Sequence, residues 1–297
     1  NDPDWAAAAA RLWRRRGGTE NALAAIADAR RLSGDDTLLM DEYLQVLLNA
    51  RDYRRILRET ETLAAGDEAP AWVYHFRAMA QKGLNDRAAA LAEYERGIAR
   101  AEARNDQAGI GQLIQSLGRE IGADDAIRHM GDRIDTEPAW QLLALHLYHQ
   151  SNQLDAGLAL LNRVDQSKLT DVQKQQFLRI AGLIYSSVSP VPMAEEARDA
   201  YLQLLDLDPD AIDVLNNLAY LLMDTMRPSQ PEQAVIYSQR AMDLLSRQGR
   251  SELAVQDTHG WILTHLPGRL DEGLNILLEV ANRGADFPDV YYHLGEA

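Results

Sequence analysis

Residues 196–220, EARDAYLQLLDLDPDAIDVLNNLAY, decide how this chain folds. Ala197, Tyr201 and Leu204 fall three and four residues apart, so they share one face of a helix. Pro209 ends that helix, because proline lacks an N–H and restricts the residue before it. Leu215, Leu218 and Ala219 then open a second apolar face at the same helical spacing. Downstream, Glu232-Gln233-Ala234 with Ala241 continue the pattern, as do Gly260-Trp261 and Asp271-Glu272-Gly273 with Leu277.

Toward the N-terminus the same marks settle into a fixed period. Ala10, Leu44 and Ala78 recur every 34 residues, as do Ala22, Ile56 and Ala90, and Ala29, Leu63 and Gly97. Small side chains at these positions let two short antiparallel helices pack closely. The pattern weakens at 105–136, where Gly109, Gly111, Gly118 and Gly122 disfavour helix. It returns at Trp140, Leu143, Ala144, Leu147, Asp155-Ala156 and Leu160. Two copies are longer: from Gly182 to Ala197 and from Ala219 to Ala234 the spacing is fifteen residues rather than twelve. The additions fall at a turn and carry Pro190 and Pro192 in one copy, Pro228 and Pro231 in the other.

A helix–turn–helix unit of this length resembles the tetratricopeptide repeat family. The first copy matches through Ala10, Trp13, Gly17, Ala22, Ile26 and Ala29, the second through Tyr43, Leu44, Leu47 and Ile56, and the third through Ala78, Ala90, Tyr94 and Gly97. The resemblance implies an all-α, right-handed superhelical solenoid of about eight helical pairs over residues 1–297. Clear repeats are expected at about 3–104 and 137–287, a degenerate one at 105–136, and a partial one at 288–297.

Composition narrows the function. The chain has 297 residues, 46% of them hydrophobic, and a formal net charge of −15. That acidity argues against a nucleic-acid partner, since phosphate contacts need a basic surface. No apolar run reaches the roughly 20 residues that a membrane span requires, so direct membrane insertion is not expected. With no cysteine there is neither a disulfide nor a thiolate metal site. His146 and His149, and His259 and His265, pair along the chain without the carboxylates that would complete a metal site. No nucleophile motif or phosphate loop is present, so neither an enzyme nor a cofactor is expected. Asp35 and Asp36, like Asp206 and Asp208, read as helix-end residues. The opening Asn1-Asp2-Pro3-Asp4 has no initiator methionine or leader, so the chain reads as an excised or processed segment.

The resemblance implies that the first helix of each pair lines an inner groove. Projected onto this sequence, the groove positions are Trp72, Phe76 and Met79; Leu145 and Tyr148; Arg179; Asn216, Asn217, Tyr220 and Met223; and Asp257, Trp261 and His265. Aromatic residues with interspersed amides suit a protein or peptide partner, here a basic or apolar one. The two-carboxylate clamp of chaperone-binding members is incomplete: Asn217 matches, but Arg179, Leu183, Ala254 and Thr258 stand where its other residues belong. The C-terminal half, from Asn216-Asn217-Leu218-Ala219-Tyr220 to Tyr292-His293-Leu294-Gly295, is similar to bacterial repeat proteins of exopolysaccharide export and envelope assembly. A binding scaffold, the repeat region of such an envelope protein, a module that self-associates through its C-terminal half-repeat and an accessory domain of an enzyme are the competing readings.

Overall fold

Three turn residues spaced by the sequence period hold left-handed backbone: Gly17 (φ 73°), Arg51 (φ 60°) and Asn85 (φ 62°). Each reverses the chain between the two helices of a pair. Asp52 and Asp86 follow immediately and cap the second helix, accepting from the N–H groups of Arg55 and Ala89. The 34-residue period is therefore a period of turns and caps as well as of apolar positions.

The computed structural model describes residues 3–34, 39–66, 68–188, 191–284 and 288–297. Asn1, Asp2, Asp35, Asp36 and Pro190, named above, lie outside these. The described residues are helical throughout, with no strand among them. They form two compact units, Asn1–Gly131 and Asp132–Ala297.

The first unit pairs α1 (Pro3–Arg15) with α2 (Thr19–Ser33), and α3 (Met40–Asn49) with α4 (Tyr53–Glu59) and α5 (Glu61–Ala65). Next come α6 (Ala71–Gly83) with α7 (Arg87–Ala103), and α8 (Gln107–Glu120) with α9 (Ala123–Met130). Each first helix also packs on the first helix of the following pair, the nearest-neighbour arrangement of a solenoid. Ala10, Ala22, Ala29, Leu44, Ile56, Ala78 and Ala90 are all buried, as the period requires.

One mark of the period departs from expectation. Leu63 is only half-buried, and Ala64 takes the core position instead. The cause is a break at Thr60. Its hydroxyl donates to the Ile56 carbonyl, while Arg77 donates to the Leu57 carbonyl (3.1 Å) and to Thr60 Oγ1 (3.2 Å). A guanidinium inserted into the helical ladder turns the chain there. Arg77 in turn pairs with the buried Glu93 at 2.7 Å. The glycine-rich stretch, expected as a degenerate repeat, forms a helix pair: Ile110, Leu113, Ile114 and Leu117 are completely buried, and Asp106 caps α8 through the Gly109 N–H. Gly109 is needed, since a Cβ there would stand 2.2 Å from Asp106 and 3.0 Å from the Ala71 Cβ.

The second unit begins with the short α10 (Arg133–Thr136) and pairs α11 (Pro138–Gln150) with α12 (Leu154–Leu161). Then come α13 (Asp171–Ser187) with α14 (Ala194–Leu207), and α15 (Ile212–Tyr220) with α16 (Pro231–Arg247). Last are α17 (Leu253–Thr264) with α18 (Leu270–Asn282), and α19 (Pro288–Glu296). Gly182 of α13 lies against the Tyr201 ring of α14, where a Cβ would approach Cε1 to 2.3 Å. The two lengthened turns close alike: Met193 N–H donates to the Tyr185 carbonyl (3.0 Å) and Gln230 N–H to that of Leu222 (2.9 Å). In the second of these copies the extra length is taken up by a π-helical turn, Leu221–Thr225.

Candidate protein-binding surface

In the first unit, α1, α3, α6 and α8 line a common cleft of about 420 Å³, with Arg14, Asp41, Glu42, Gln45, Trp72, His75, Phe76 and Gln112 on its walls. These are the first helices of four successive pairs. Arg14 is held by Glu42 at 2.8 Å, which fixes one wall. His75 anchors the other through a buried chain: its Nδ1 bonds Ser116 Oγ at 2.8 Å, and Ser116 bonds the Tyr94 hydroxyl at 2.8 Å. Burial lowers the His75 pKa, with Arg119 adding to the effect. It pushes that of Tyr94 up to about 12, so this network is neutral near pH 7.

In the second unit the features gather around Trp261. Its ring stacks on His293 (centroids 4.5 Å, 13° between planes), meets His265 edge-on at 4.2 Å and lies 6.2 Å from Tyr292. Its indole N–H donates to Asp224 Oδ1 at 3.0 Å. Behind the stack, Asp257 Oδ2 bonds His293 Nδ1 at 2.9 Å with both residues buried. Tyr220, 40% exposed, stands at the open side. Its hydroxyl pKa is raised, first by burial and then by the charges of Asp224, Asp289 and Asp257.

The expected groove residues divide. Tyr220 and His265 are exposed, and Trp72, Met79, Tyr148, Arg179, Asn216 and Asn217 are half-buried. Arg179 is engaged by Asp213 at 2.6 Å. Leu145, Met223, Asp257 and Trp261 are buried, which corrects the expectation that they stand on an open face; Phe76 is largely buried but still edges the cleft beside Trp72. Phe76 joins the core cluster of Tyr43, Leu44, Leu47 and Ala80. Leu145 is fully buried on α11, the helix that α13 packs against. Met223 turns inward with the π-helical segment, where its sulfur takes the Ser229 hydroxyl at 3.6 Å. Asp257 and Trp261 are covered by α19 through His293.

Sequence reasoning missed Glu42, Gln45 and His75 in the first unit and Asp224, Asp289, Tyr292 and His293 in the second. A signal existed for the first group: subtracting 34 from Phe76 and Met79 gives Glu42 and Gln45. For Asp224 there was none, because its direction depends on the π-helical turn.

The histidine pairs expected to lack metal partners are accounted for locally. His259 Nδ1 bonds Ser238 Oγ at 2.9 Å in the core, and burial, reinforced by Arg269, lowers its pKa to about 4. Burial likewise lowers the pKa values of His146 and His149. Among the described residues no group of three or more His, Asp or Glu is placed to hold a metal ion, and no helix is long and apolar enough to cross a membrane.

No family model and no curated protein matches this chain. Among solved structures, it is similar to the C-terminal part of a TPR repeat-containing protein from Cytophaga hutchinsonii. The two are 11% identical with a TM-score of 0.49, over 85% of this chain and 98% of that one.

Proposed function

We propose that this chain is a non-enzymatic scaffold that holds an extended segment of a partner protein along its first helices. One observation carries the reading: the first helices of four successive pairs converge on the cleft bounded by Asp41, Gln45, Trp72 and Gln112. Its walls mix an aromatic ring with amides and carboxylates, the composition that anchors a peptide by a few side chains while bonding its backbone. The fixed Arg14–Glu42 pair and the His75–Ser116–Tyr94 chain hold those walls before any partner arrives, which lowers the ordering cost of binding.

A random peptide library panned against the protein tests this. Selected peptides are expected to lose about tenfold or more in affinity for an Asp41→Arg/Gln112→Arg variant, because both positions are exposed and the changes crowd the cleft without touching the core. Peptides that bind the variant as tightly as the native chain would place recognition elsewhere and sink the reading.

A further inference from the structure

We propose that the mouth formed by Tyr220, Asp224, Asp289 and Tyr292 in the second unit receives an arginine side chain of a partner protein. The inference rests on the scaffold reading above and names the partner's chemistry at one place.

Two carboxylates in this region each keep an open acceptor. Asp257 is 4% exposed, and its Oδ1 is closed to solvent with no hydrogen-bond partner, although Oδ2 is bound to His293. Asp224 is in the same position: Oδ1 takes the Trp261 indole proton and Oδ2 is closed off without a partner. Among the described residues neither carboxylate, nor Asp289 at the rim, is paired with a lysine or arginine. The nearest candidate, Arg227, spends its guanidinium on the backbone carbonyls of Asp224 and Met226. Elsewhere the chain pairs a buried carboxylate with arginine, as Arg77 does for Glu93. Open acceptors closed off from water are unfavourable, and their partial negative charge draws a cation to the mouth outside them.

The rim selects the kind of cation. Too few ligating groups converge for a metal ion. Tyr220 is 40% and Tyr292 61% exposed. Tyr292 follows Asp289 by three residues on α19 and lies 6.2 Å from the Trp261 ring that Asp224 holds, while Tyr220 precedes Asp224 by four residues. A planar guanidinium is weakly hydrated, lies flat on such rings and still donates to the exposed rim carboxylate, Asp289. The open Oδ1 acceptor of Asp257 behind the rings adds to the attraction without direct contact.

The probe is the peptide acetyl-Gly-Gly-Arg-Gly-Gly-amide, with a citrulline counterpart that keeps the shape and removes the charge. The readout is the indole N–H resonance of Trp261, assigned by its loss in Trp261→Phe. The arginine peptide is expected to shift this resonance saturably, and the citrulline peptide to bind about tenfold more weakly or not at all. Asp224→Asn keeps an acceptor for the indole and removes the charge; Asp289→Asn removes a rim charge from an exposed position where folding is not at stake. Each should weaken the arginine peptide several-fold. Equal binding of both peptides, or undiminished binding by both variants, overturns the proposal. If library-selected peptides still depend on Asp41 and Gln112 in that event, the scaffold reading stands without the arginine site. If they do not, both fall.

Discussion

The indole N–H of Trp261 donates to Asp224 Oδ1 across 3.0 Å, tying α17 to the π-helical turn that ends α15. Replacing Trp261 with Phe keeps a ring for His293 to stack on but strips Asp224 of its remaining partner. Leaving that carboxylate unsatisfied should cost about 1–3 kcal/mol. Asp224→Asn, which retains the acceptor, should cost less. Urea denaturation of the two variants checks the order, and a smaller loss for Trp261→Phe than for Asp224→Asn contradicts it.

Acid should weaken the second unit through His259. Its folded pKa of about 4 lies below the unfolded value near 6.5, so the unfolded chain binds more protons between them and stability falls as pH drops through that window. From pH 7 to pH 5 the loss is on the order of 2 kcal/mol. His75, His146 and His149 shift in the same direction, so the native slope contains them too. A His259→Gln variant isolates the one group: its stability should depend on pH less steeply than that of the native chain. Parallel slopes in urea titrations would show that His259 does not contribute.

At Gly182 the helices of the sixth pair meet against the Tyr201 ring, which is 1% exposed and has no room to swing aside. Gly182→Ala should therefore destabilise by about 1–3 kcal/mol despite alanine's better helix propensity. Adding Tyr201→Leu should return part of the loss, since the smaller side chain admits the methyl. Calorimetric midpoints for the single and double variants decide it.

Arg51 adopts φ 60° at a turn where its counterparts are Gly17 and Asn85. An L-residue other than glycine or asparagine is strained there. Arg51→Gly should stabilise the first unit by about 1 kcal/mol, read as a raised urea midpoint. No gain would mean that the arginine side chain makes good the strain.

The paired helices were legible because one period writes itself into three independent features: the buried alanines, the left-handed turns and the aspartate caps. Even Gly109, which seemed to weaken its helix, is a packing residue. The open face was less legible. Which side of a first helix stays exposed depends on the helix stacked over it, so Trp261 and Asp257, projected outward by register, are covered by α19. The break at Thr60 was hidden for a similar reason: Arg77, seventeen residues away, causes it. Burial set by a neighbouring pair is not encoded in the residues of the pair itself.

The matching closures at Met193–Tyr185 and Gln230–Leu222 have a consequence for engineering. In both copies, added length is absorbed between two helices while the buried faces keep their phase. These bends behave as splice points. A short epitope or fluorophore tag inserted beside Ser229, which is exposed, would ride on the outside of a stack that does not need to know it is there.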